Sequence, residues 1–119
     1  MQDFRNIQAW QKAHELTLQV YHATKDFPKV ELYNLTSQIR RACYSIPMNL
    51  AEGCGKSTDA EFGRFIDISC GSASELDYGL LLARDLGYLK GDVYEDLCED
   101  LTRVRKMLAK LRSRVKAGS

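Results

Sequence analysis

Proline, tryptophan and histidine are scarce in the sequence of 119 residues. It contains two prolines, one tryptophan and two histidines. Both histidines, His14 and His22, fall on the first predicted helix, and the residues three positions before them are Gln11 and Gln19. A two-metal centre in a helical bundle needs Glu-x-x-His motifs on two helices. The sequence therefore excludes such a centre within one subunit, and we expect no metal and no other cofactor.

Long apolar runs and paired cysteines are also missing. No run approaches the roughly 18 apolar residues of a membrane span, and the first residues lack the apolar segment of a signal peptide. The cysteines show no short paired spacing: Cys43, Cys54, Cys70 and Cys98. These features predict a cytoplasmic protein with reduced thiols and no membrane partner.

No catalytic motif is complete. Gly55-Lys56-Ser57 resembles the end of a phosphate-binding loop, but that motif needs a glycine five positions earlier, where the chain has Leu50. A reactive cysteine needs a neighbouring base or a positive local field, and a reactive serine needs a base. Cys43 follows Arg40 and Arg41 but falls towards the apolar face of its helix, and no serine has a predictable histidine partner. We therefore predict that the protein is not an enzyme.

Helical periodicity extends over almost the whole chain. Apolar residues recur at steps of three and four, and no segment alternates with the period of two that is typical of strands. The pattern predicts an all-α fold, an antiparallel up-down-up-down four-helix bundle in a single domain over residues 1–119. The predicted helices cover about residues 4–25, 30–54, 58–86 and 92–116.

Several local signals fix the third helix. Thr58 and Glu61 have the spacing of a capping box at its start, and Gly87 fits the left-handed position after its end. Six small residues in a row, 69–74, predict a point where another helix crosses closely.

The second predicted helix contains Pro47, which costs about 3 kcal/mol in a helix interior. A narrow polar stripe lies about 115° from its apolar stripe at 100° per residue. Its members are Gln38, Arg41, Ser45, Asn49 and Glu52. We interpret the stripe as a polar network that fixes helix register or joins subunits. The alternative is a surface that binds RNA or DNA through nearby cations.

Charge is distributed unevenly. Residues 1–100 hold 10 basic and 16 acidic side chains, whereas residues 101–119 hold seven basic and none acidic. A basic end suits the dipole of the last helix, and it equally suits a nucleic-acid contact. The cations that would make this contact are Arg40, Lys56, Arg103, Arg105, Lys106, Lys110, Arg112, Arg114 and Lys116.

The run from Glu31 to Ala42, followed by Ser45-Ile46-Pro47 and by the run from Asn49 to Gly53, carries a family resemblance. It resembles the bacterial four helix bundle protein family, also called intervening-sequence proteins after members encoded inside ribosomal RNA genes. The resemblance covers almost the whole chain. It implies kinship with the accessory protein of diversity-generating retroelements, a homopentamer that binds a reverse transcriptase and nucleic acid.

We therefore expect a self-associating bundle, a pentamer by this resemblance, that serves as an accessory or scaffold protein. Its partner would be RNA, DNA or a protein such as a reverse transcriptase. The alternative is a structural protein–protein interaction module with no role in nucleic-acid binding. Self-association also accounts for the number of tyrosines, a residue enriched at interfaces: Tyr21, Tyr33, Tyr44, Tyr78, Tyr88 and Tyr94.

Overall fold

The computed structural model describes residues 3–115, and the predicted all-α fold is confirmed. No strand occurs in this range. The elements are a 3₁₀ turn at Phe4–Asn6, α1 at Gln8–Thr24, a 3₁₀ turn at Lys29–Glu31, α2 at Leu35–Cys54, α3 at Asp59–Asp85 and α4 at Gly91–Arg114.

The four helices form a ring in which α1 packs on α2 and α4, and α3 packs on the same two helices. Thr24 bonds to Arg40 and Thr17 to Cys43, so the chain direction reverses between α1 and α2. Gly79 faces Ile39 and Gly53 faces Phe65, so it reverses again between α2 and α3. Asp77 meets Arg105 and Asp67 meets Arg112, so the chain direction reverses between α3 and α4. The centre is filled by side chains that no solvent reaches: Leu16, Val20, Ile46, Leu50, Ile66, Leu76, Leu80 and Leu108.

The first two helices begin later than the sequence predicts. Asp3 caps the 3₁₀ turn by accepting from the amide of Arg5 at 3.0 Å, and Ile7 is extended, so α1 starts only at Gln8. Asn34 has φ −120° and ψ −107°, outside the helical region, and this separates the 3₁₀ turn from α2. The predicted helix 4–25 therefore combines the first 3₁₀ turn with α1, and the predicted helix 30–54 combines the second 3₁₀ turn with α2.

The N-cap threonine and the C-terminal glycine predicted for α3 are confirmed. Thr58 Oγ1 accepts a hydrogen bond from the amide of Glu61 at 3.2 Å. Gly87 has φ +81°, the left-handed conformation that only glycine adopts without strain. The fourth helix begins at Gly91, one residue before the predicted start.

Two glycines allow α2 and α3 to pack closely. A Cβ atom added to Gly53 would lie 2.8 Å from Phe65 Cβ, and one added to Gly79 would lie 2.9 Å from Ile39 Cγ1. The predicted small-residue crossing is confirmed, because Ser69 and Ser72 both bond to α2. Gly71 is exposed and takes no part in the contact.

Among the described residues, no helix combines the length and the apolar character needed to cross a membrane.

Candidate interaction surfaces

Part of the polar stripe of α2 lies at the junction with α3. The Oγ atoms of Ser45 and Ser72 are 2.8 Å apart. The side-chain amide of Asn49 donates to Ser45 Oγ at 2.9 Å and to the Ser45 carbonyl at 2.8 Å. Ser72 is buried and the other two are half-buried. These three side chains form one hydrogen-bonded group between two helices of the same subunit.

The other members of the stripe face outward. Gln38, Arg41 and Glu52 are exposed. Within residues 3–115 their side chains make no hydrogen bond or ion pair, and Glu75 of α3 does not pair with Arg41. A network that includes all five residues of the stripe stays a prediction. The side chains of Gln38, Arg41 and Glu52 are free to contact a partner.

Large apolar side chains flank the same stripe. Met48 is 57% exposed, Ile68 39% and Tyr78 64%. A shallow groove of about 320 Å³ runs beside Tyr78. It is lined by Leu35, Gln38, Ile39, Ala42, Glu75, Tyr78, Gly79 and Leu82. We call the exposed surface of these two helices the α2–α3 face; it combines apolar side chains with unpaired polar ones.

The basic segment of α4 divides into two groups. Three of its arginines bond to carboxylates of the bundle: Arg103 to Asp100 at 2.9 Å, Arg105 to Asp77 at 3.2 Å and Arg112 to Asp67 at 2.8 Å. The pKa of Arg112 is raised above its usual value, chiefly by its hydrogen bond to Asp67.

The second group is unpaired. Lys106, Lys110 and Arg114 are exposed, and their charged groups have no carboxylate partner within residues 3–115. Lys116 lies outside the described residues. At about 100° per residue the three described cations fall within about 80° on one side of α4. They form one basic strip rather than a band around the helix.

The predicted cations Arg40 of α2 and Lys56 of the turn after α2 contact aromatic rings. Arg40 donates from Nε to Thr24 Oγ1 at 2.9 Å, and its guanidinium lies 4.7 Å from the centre of the Tyr21 ring. Lys56 Nζ lies 5.4 Å from the centre of the Phe65 ring. The structure therefore places Arg40 on the α1 side of α2 and Lys56 on the α3 side.

Comparison with protein families gives a match that covers most of the chain. The family described as 23S rRNA-intervening sequence protein matches residues 5–110. The chain belongs to this family. The resemblance inferred from the sequence motifs is thereby confirmed, and the family description names no enzymatic activity.

A solved structure supports the fold of this intervening-sequence protein. It is a crystal structure of a protein with unknown function from the S23 ribosomal protein family from Bacteroides thetaiotaomicron. The two chains share 24% identity with a TM-score of 0.81, over 88% of this chain and 95% of the other. At this identity the likeness shows the fold alone. A comparison with curated proteins gave no match.

A row of aromatic rings along α1 and the 3₁₀ turn before it was not predicted from the sequence. The Phe4 and Trp10 rings meet edge to face with centres 4.9 Å apart. His14 stacks on Trp10 at 5.0 Å with an angle of 8° between the ring planes. The signal was present in the spacing, because residues 10, 14 and 21 lie on one side of a helix at about 100° per residue.

The four thiols of this intervening-sequence protein are unpaired with one another. Burial raises the pKa of Cys43 to about 11, although a hydrogen bond to Thr17 Oγ1 opposes the shift. Burial also raises the pKa values of Cys54 and Cys70. Thiols with raised pKa values are poor nucleophiles at neutral pH. In the described part of the chain, no cluster of three His, Cys, Asp or Glu side chains could hold a metal ion.

Proposed function

We propose that this intervening-sequence protein is a non-enzymatic helical bundle that self-associates and binds nucleic acid or a protein that handles nucleic acid. It would act as an accessory or scaffold protein. The observation that carries the proposal is the α2–α3 face, where Tyr78, Ile68 and Met48 are exposed beside the unpaired Arg41 and Gln38.

The composition of this face is that of an interface. Tyrosine, methionine and arginine are enriched where proteins meet, whereas scattered polar residues complete the rim. Exposed apolar side chains favour association, because burying their surface stabilises a complex by about 25 cal/mol per Å² of apolar area. The Ser45–Asn49–Ser72 group keeps the centre of the face satisfied within the subunit.

The nucleic-acid part of the proposal depends on the unpaired cations. Lys106, Lys110 and Arg114 contribute a modest positive field in one subunit. The resemblance to the retroelement accessory protein implies five subunits, and five copies of this strip would attract a phosphate backbone strongly at low salt. By the same resemblance, a reverse transcriptase is a candidate protein partner.

The alternative is a protein–protein interaction module with no nucleic-acid role. The paired arginines of α4 favour this alternative, because each forms an ion pair with a carboxylate of its own subunit: Arg103, Arg105 and Arg112. The two functions differ in one outcome. Only the nucleic-acid function predicts RNA binding that weakens as salt rises.

Self-association is tested by light scattering coupled to size exclusion. We expect the wild-type chain to elute as an oligomer. The double substitution Ile68→Lys and Tyr78→Lys should shift it towards the monomer, since both cations would be buried in the interface. Leu18→Lys is the matched control: Leu18 is 59% exposed on α1, which does not touch α3. A monomeric wild-type chain would contradict the proposal.

A further inference from the structure

An aromatic row runs along the outer side of α1 where this helix borders α2. It consists of Phe4, Trp10, His14 and Tyr21. The first three rings contact one another in sequence, at 4.9 Å and 5.0 Å between centres. Tyr21 lies eleven residues beyond Trp10, about 17 Å along the helix. His14 is exposed and Tyr21 is 40% exposed, so both rings can meet a ligand.

Cations accompany these rings. The Arg5 guanidinium lies 4.5 Å from the centre of the Phe4 ring, at one end of the row. Arg40 lies 4.7 Å from the Tyr21 ring centre, at the other end. Arg40 is held there by its hydrogen bond to Thr24. A fixed guanidinium beside an exposed ring offers a phosphate contact and a stacking surface at the same place.

Carboxylates are rare on this side of the bundle. Trp10, His14, Tyr21 and Lys25 fall within about 60° of one another around α1, and no acidic residue of the helix falls in that arc. Asp3 lies near the end of the row and is paired with Arg5 at 3.3 Å. The net field over the exposed rings is therefore positive or neutral, which suits an anionic ligand.

Core packing accounts for only part of the row. Phe4 and Trp10 are partly buried and pack against the apolar core, so their position has a structural reason. His14 and Tyr21 are not part of that core, and Tyr44 on the facing side of α2 is also 37% exposed. Exposed rings beside cations are typical of surfaces that bind single-stranded nucleic acid, where bases stack on the rings.

We propose that the border between α1 and α2 binds single-stranded nucleic acid, with bases stacking on His14 and Tyr21 and phosphates contacting Arg40 and Lys25. The inference rests on the nucleic-acid function proposed above and assigns it to a surface other than the basic strip of α4. A duplex is a poor ligand for this surface, because its bases already stack on one another.

The test uses a fluorescent oligouridine of about 12 nucleotides at about 50 mM salt, with binding followed by anisotropy. Trp10 is the only tryptophan of the chain, so quenching of its emission reports stacking near His14 independently. We expect His14→Ala and Tyr21→Ala each to weaken binding about 5- to 150-fold, the range measured for stacked bases. Tyr21→Phe keeps the ring and should bind like the wild type.

The control is the triple substitution Lys106→Gln, Lys110→Gln and Arg114→Gln on α4, and circular dichroism verifies that each variant is folded. If the wild type binds while both alanine variants bind equally well, the inference is overturned and the proposed function stands. Loss of binding in the α4 triple variant alone would assign the ligand to α4 and overturn the inference in the same way. A wild type that binds no oligouridine would overturn the inference alone, because the proposed function also covers structured RNA and a protein partner.

Discussion

Ser69 of α3 donates a hydrogen bond of 2.9 Å to the backbone carbonyl of Ile46, the residue immediately before the proline inside α2. Pro47 has no amide to give to the carbonyl of Cys43, and its ring crowds that carbonyl. Both Ser69 and Pro47 are buried. The tight α2–α3 contact therefore brings a polar side chain to the one turn of α2 whose backbone bonding is interrupted.

This contact predicts that Ser69→Ala destabilises the fold. The free energy of unfolding should fall by about 0.5–1.5 kcal/mol, the usual net contribution of a hydrogen bond. Ser37→Ala, at an exposed position of α2, is the control and should change it by less than about 0.5 kcal/mol. Urea unfolding followed by circular dichroism measures both. Equal stability of the two variants would show that the bond contributes nothing.

Alanine substitutions at two glycines should change the stability of the bundle in opposite directions. Gly79→Ala places a Cβ 2.9 Å from Ile39 Cγ1, and overpacking of this kind costs about 1–3 kcal/mol. Gly71→Ala meets no atom within 4 Å and should stabilise α3 by up to about 1 kcal/mol, because alanine favours the helix. Urea midpoints that move in the same direction for both variants would contradict the structure.

Burial of Cys43 predicts a loss of stability at high pH. Its pKa is raised from 9.0 to about 11 in the folded state, so the folded chain holds this proton more tightly than the unfolded chain. The buried, protonated thiol therefore adds to the free energy of unfolding. This contribution is complete below about pH 9 and is lost as pH rises towards 11. The wild type should lose about 2 kcal/mol more than Cys43→Ala between about pH 8 and pH 10.5. Parallel pH profiles would rule out this linkage.

Asp100 joins α4 to α1. Its carboxylate lies 3.4 Å from Lys12 Nζ and 2.9 Å from Arg103, and only 14% of its side chain is exposed. We expect Asp100→Asn to lower the free energy of unfolding by about 1 kcal/mol, and by less at about 1 M salt. Asp96→Asn, an exposed residue one turn earlier on α4, serves as the control. A loss that does not depend on salt would assign the effect to packing rather than charge.

The helices were predictable because local signals agree with the packing. Thr58, Gly87 and the apolar repeats each act within a few residues, and the four helices follow from them. The non-helical Asn34 was not predictable, since nothing in its neighbours requires the backbone to leave the helix there. The polar stripe of α2 was predictable as a set, but the sequence could not show that its members Ser45 and Asn49 form a bonded group with Ser72 of α3.

Which arginines of α4 are paired was likewise not predictable from the sequence. Their number predicted a basic surface. Arg105 nevertheless pairs with Asp77, 28 residues earlier in the sequence, and Arg112 with Asp67, 45 residues earlier. Pairing across helices depends on the rotation of each helix about its axis. Composition carries no such information, so the unpaired cations could be separated from the paired ones only in three dimensions.

The most direct test is light scattering coupled to size exclusion, with and without a structured RNA that carries single-stranded loops, at about 50 and about 200 mM salt. We predict an oligomer that takes up RNA at the lower salt and releases it at the higher one. An oligomer that ignores RNA at both salts would contradict the nucleic-acid function and leave a protein-binding scaffold. A monomer would contradict the self-associating bundle itself.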